Sequence, residues 1–177
     1  RLHKLWFIPE TPSRSMATEG WRDAEARREL NVLYVGHSLV GEEMPHFAEQ
    51  IAASLGVRWR SDAQLIDGGS LRVNWTESER ARGVDAAEAL ASGEYDTLVL
   101  TEAVNLDDHL RWSEPSRFAS EYYGLALHHR PDTALYFYET WHDRHDARGV
   151  FSSASPELWR SKLDDDLDKW ESIVDGV

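Results

Sequence analysis

Asn31-Val32-Leu33-Tyr34-Val35-Gly36-His37-Ser38-Leu39-Val40-Gly41 decides the fold, because an apolar run stops there at a serine and a different periodicity takes over. Val32 to Val35 is a short stretch of β-branched, aliphatic and aromatic residues, the composition of a buried strand. The run from Glu42 to Gly56 then carries Met44, Phe47, Ala48, Ile51, Ala52 and Leu55 at helical spacing. Ser38 therefore falls in a strand-to-helix turn. In an open α/β sheet such a turn lies at the carboxyl end of a strand, where ligands bind, and the following helix offers unpaired N–H groups and a positive dipole end to an anion. A serine in that place has two readings: a helix N-cap without chemistry, and a nucleophile whose developing oxyanion is already provided for.

Outward from this turn, the same alternation repeats. Val57 to Ile66 reads as a second strand, followed by the turn Asp67-Gly68-Gly69-Ser70-Leu71-Arg72. A helical segment is expected from about Glu77 to Ala91, with Gly93 as its C-terminal stop. Tyr95 to Leu100 is a third strand. Ser113 to His129 is helical in pattern and ends before Pro131, Thr133 to Tyr138 is a fourth strand, and Trp159, Leu163, Leu167, Trp170 and Val174 form the stripe of a closing helix. Strands alternating with helices point to an α/β fold, a parallel sheet with helices on both faces. Residues 1–30, interrupted by Pro9 and Pro12, read as an irregular N-terminal arm, and 31–177 as one domain.

The composition narrows the function classes. With 32 acidic against 19 basic side chains and a formal charge of -13, the chain repels polyanions, which argues against nucleic acid as a partner. No apolar run reaches the roughly 20 residues that cross a bilayer, so no membrane insertion is expected. There is no cysteine, hence no disulfide framework and no thiolate metal site, and this fits a reducing or an exporting compartment equally. Arg1 in place of Met suggests upstream sequence that has been removed or is not shown. Eight tryptophans serve core packing or a sugar platform, and packing is the preferred reading.

Three segments together carry a resemblance. Val40 stands where the Gly-x-Ser-x-Gly elbow of α/β-hydrolases needs its second glycine, so that family is set aside. Instead, Gly36-His37-Ser38-Leu39, then Gly68-Gly69-Ser70-Leu71 with Asn74-Trp75, then Tyr95-Asp96-Thr97-Leu98-Val99-Leu100-Thr101-Glu102 are similar in order and spacing to the first three blocks of the SGNH (GDSL-like) hydrolases. The likeness covers residues 31 to about 105. It implies a flavodoxin-like three-layer α/β/α fold with strand order 2-1-3-4, a fifth strand missing, and a serine esterase acting on acyl esters, carbohydrate O-acetyl esters among them, without a cofactor. It further implies Ser38 as nucleophile, the Ser38 and Gly69 N–H groups as oxyanion donors with Gly68 as second choice for the latter, and Asn105 completing the hole. Asn74 competes with Asn105 for that role, and Trp75 with Asn74 and Gly68 is the candidate substrate-binding set. Paired donors of this kind each stabilise a tetrahedral oxyanion by on the order of 3 kcal/mol.

The sequence departs from the family at its end. The expected C-terminal Asp-x-x-His block, the source of the general base, is not found; the last histidine is His145. Either the chain shown stops short of that block, which is the preferred explanation, or His142 or His145 replaces it, or the protein binds without turnover, as a flavodoxin-like module for a sugar or small anion. His37 is a poor substitute, since it follows the strand alternation away from Ser38. His142-Asp143-Arg144-His145-Asp146 and Asp107-Asp108-His109 lack metal-site spacing, so no metal is expected. Asp164, Asp166 and Asp168 imitate a calcium loop, but Lys169 stands where its glycine belongs. Compartment, oligomeric state and physiological ester are not legible.

Overall fold

A computed structural model describes residues 6–7, 29–141 and 156–177, with side chains described for 29–141 and 160–177. The elements in chain order are β1 (Trp6–Phe7), β2 (Glu29–Gly36), α1 (Glu43–Ser54), β3 (Arg58–Leu65), α2 (Leu71–Thr76), a 3₁₀ turn (Ser78–Arg80), β4 (Arg82–Gly83), α3 (Ala86–Ala91), β5 (Thr97–Leu100), α4 (Leu106–Trp112), α5 (Pro115–His129), β6 (Ala134–Phe137) and α6 (Pro156–Val174). They form an α/β fold around one sheet of order β1-β6-β5-β2-β3-β4. β2, β3, β5 and β6 run parallel, with Gly36 beside Leu65 and Val35 beside Leu100, while β1 and β4 are antiparallel edges. Among the described residues no helix is long and apolar enough to cross a membrane.

Successive strand residues point to opposite faces, and this alternation divides the core in two. Leu33, Val35, Leu98, Leu100, Leu135 and Phe137 join Leu71, Leu90, Phe118, Tyr122, Trp170 and Ile173 from the helices on one face. Val32, Tyr34 and Val99 join Val40 and Leu65 on the other, against Met44 of α1. One polar side chain crosses the first cluster. Gln64 has no exposed surface, yet its amide is fully used: Nε2 donates to the Asn74 carbonyl (2.7 Å) and Oε1 accepts the Ala86 N–H (2.6 Å). A buried amide left unpaired would cost about 1–3 kcal/mol, so these bonds tie β3 to α2 and α3.

Three expectations from the sequence are corrected. The sheet is mixed rather than parallel, and its order differs from the four-strand list because two short antiparallel strands border it. One of these, β1, lies within the stretch read as an irregular arm; the remainder of that arm up to residue 28 lies outside the described residues. Finally, the single helix expected over 77–91 is broken. Ser70 caps α2 early by accepting the Val73 N–H (3.2 Å), and Asp85 caps α3 by accepting the Glu88 N–H (3.0 Å), so each short helix starts at its own N-cap. Between them Gly83 takes φ +89° and lies against the Ala63 carbonyl, where any Cβ would overlap. That close approach makes β4.

Candidate functional site

Because β2, β3 and β5 are parallel neighbours, the turns that follow them emerge at one edge of the sheet. The first is the serine turn. After Gly36 the chain closes with the Val40 N–H on the His37 carbonyl (2.9 Å), leaving Ser38 exposed at its tip and turning Val40 into the core. Gly36 has a packing reason, since a Cβ there would press on the side chains of Thr101 and Val40. The second turn lies directly beside it: the Ile66 N–H donates to the Gly36 carbonyl (3.1 Å), and Asn74 Nδ2 donates to the same oxygen (3.1 Å).

Within that second turn, Gly68 takes φ +67°, a conformation side chains rarely adopt, and nothing lies within 4 Å of where its Cβ would be. Gly69 differs. Its N–H closes the turn on the Ile66 carbonyl (2.8 Å), and a Cβ on it would meet Ile66. Asn74 has no exposed surface, and its Nδ2 hydrogens go to the carbonyls of Gly36 and Ser70 (3.1 Å each), so its amide braces the serine turn from beneath. Trp75 packs edge-on against Tyr122, ring centroids 4.7 Å apart, which places it with the core.

The third turn follows β5. Asn105 is exposed at the N-cap of α4 and makes no capping hydrogen bond with its side chain. His142 lies outside the described residues. His37 is buried and faces inward: Nδ1 accepts the Leu39 N–H (3.3 Å), so the proton is on Nε2, which donates to the Glu102 carbonyl (3.1 Å). Burial lowers its pKa, in keeping with this neutral ring.

A scan against protein-family models finds no match, and comparison with curated proteins and with solved structures finds none either.

Sequence reasoning did not single out Glu102, although it ends the third block. The side chain has no exposed surface, and its carboxyl accepts the Leu71 N–H on Oε2 (3.2 Å) and the Ala103 N–H on Oε1 (2.7 Å). His109 Nδ1, on α4, faces the same Oε1 at 3.4 Å and Ser113 Oγ at 2.9 Å. Burial pushes the Glu102 carboxyl up to about 7, against the opposing pull of the two backbone donors. A charged residue within an otherwise apolar strand end was the available signal.

A separate cavity of about 710 Å³ is lined by Tyr34, Met44, Val99, Tyr136 and Tyr138 from the α1 face of the sheet, and by Phe137 and Trp170 among others. Neither Ser38, Gly69 nor Asn105 lines it. At the serine site Ser38, Gly68 and Asn105 are exposed, while Gly69 and Ser70 are buried.

Proposed function

We propose that this chain is a serine-dependent acyl-ester hydrolase of the SGNH type, its sheet and helices forming the flavodoxin-like three-layer α/β/α arrangement of that family. One observation carries the reading: an exposed serine hydroxyl at the carboxyl end of a central parallel strand, with the glycine turn of the neighbouring parallel strand bonded to the same Gly36 carbonyl. In the reaction, Ser38 Oγ bonds to the ester carbonyl carbon and its proton passes to an imidazole base, for which His142 and His145 are the candidates within the sequence given. The alcohol then leaves with that proton, and water releases the acid from the acyl-serine. Ser38 N–H and a donor of the 68–69 turn face the oxyanion, with the Asn105 amide at the open side. Small acyl or carbohydrate O-acetyl esters suit an exposed site.

Binding without turnover is the second reading, favoured by the engagement of the Gly69 N–H with Ile66. The two are separated by treating the folded protein with a fluorophosphonate and locating the adduct by peptide mass spectrometry, alongside turnover of p-nitrophenyl acetate. Modification at Ser38 with ester turnover supports the hydrolase. A folded protein that stays unmodified and does not turn over ester ends that reading and leaves the binding module.

A further inference from the structure

Resting on the hydrolase reading, we propose that Glu102 is a positioning residue of the serine site: it joins the three turns at the sheet edge and, as a carboxylate, holds the glycine turn in register with Ser38. The contacts are made by one residue. Its backbone carbonyl receives His37 Nε2 from the serine turn, Oε2 receives the Leu71 N–H from the glycine turn, and Oε1 receives the Ala103 N–H from the loop leading to Asn105. Leu71 follows Gly68, Gly69 and Ser70 directly, so displacement of its N–H displaces the turn.

The ionised form is the one that fits. A carboxylate offers acceptor sites on both oxygens, whereas a protonated carboxyl or an amide turns one of its two ends into a donor. On Oε2 that donor would oppose the Leu71 N–H; on Oε1 it would oppose the Ala103 N–H, with His109 Nδ1 as an alternative acceptor 3.4 Å away. The groups around it are His37, with Asp67 nearby, from the turns after β2 and β3, and His109 with Asp108 from α4. Burial lowers both imidazoles and raises the Glu102 carboxyl to about 7.

The test uses the chain labelled with ¹⁵N, titrated from acid to alkaline pH while the amide resonances of Leu71 and Ala103 are followed. In parallel, the rate of fluorophosphonate modification at Ser38 and the pH profile of p-nitrophenyl acetate turnover are measured for the wild type, Glu102→Gln and Glu102→Asp. In the wild type the two resonances move together with a midpoint near neutrality, and modification accelerates across the same midpoint. Glu102→Gln loses that midpoint in both readouts and falls at least tenfold in kcat with KM little changed; Glu102→Asp, which keeps the charge, recovers part of the rate. Resonances that do not titrate, or a Glu102→Gln protein modified at the wild-type rate with the wild-type profile, would overturn the proposal while leaving the hydrolase in place. The resonance titration is read on the wild type, so it decides even where the variant does not fold. A wild type unmodified at Ser38 overturns the hydrolase reading and, with it, this one.

Discussion

A carboxyl group with no exposed surface pays for its ionisation, and at Glu102 that cost has a sign that can be worked out. Its pKa is about 7 in the folded protein against 4.5 for the free group, burial being the main cause. Between those values the native state binds more protons than the unfolded chain, so this contribution to stability is present in full below about pH 4.5 and is lost as pH rises through 7. At 1.36 kcal/mol per unit the loss is on the order of 3 kcal/mol. Urea melts of wild type and Glu102→Gln across pH 4.5 to 8 should show the wild type losing about that much relative to the variant; a constant difference would contradict it. This contribution is thus smallest where Glu102 is ionised, the form proposed to position the glycine turn, a trade-off of the kind expected between stability and function. Ser38 is the opposite case: its side chain is exposed, so Ser38→Ala should change stability by less than about 0.5 kcal/mol while abolishing the fluorophosphonate adduct, both read on the same preparation.

At the scale of elements, the serine turn is braced by α2. Asn74 of α2 supplies a buried donor to Gly36 and another to Ser70, while Gln64 of β3 bonds back to its carbonyl. Asn74→Ala should therefore cost about 1–3 kcal/mol in denaturant melts. It should also slow modification at Ser38, since the Gly36 carbonyl loses one of its two donors; an unchanged rate would show the brace to be unimportant for the site. The central strands and the α1 and α5 helices were legible because Val32 to Val35, Thr97 to Leu100 and the 3.6-residue stripes are local patterns. β4 was not, because it depends on Gly83 meeting the Ala63 carbonyl, a contact between distant residues that no local periodicity records. The same reason hid the part played by Asn74 and Glu102. Their residue types are visible in the sequence, but their partners lie on other elements.

For the whole molecule, the serine edge and the charge balance meet in the same place. Arg82 of β4 pairs with Glu42, at the entrance to α1, and with Asp67 of the glycine turn (2.9 and 2.6 Å), spanning the two turns from outside. Its side chain is 49% exposed, so these pairs contribute only about 0–1 kcal/mol each and weaken in salt. Against them stands an excess of 13 negative charges on 177 residues, whose mutual repulsion destabilises the compact state. The two effects oppose each other as salt is added. Raising ionic strength from about 0.01 to 0.15 M shortens the screening length from roughly 30 to 8 Å, which damps repulsion across the whole surface but affects contact pairs at 3 Å much less. Repulsion therefore wins, and the Tm at pH 7 should rise over this range. A fall in Tm would mean that pairs such as those of Arg82 outweigh the net charge, and Arg82→Ala, which should otherwise be nearly neutral, would then be strongly destabilising at low salt.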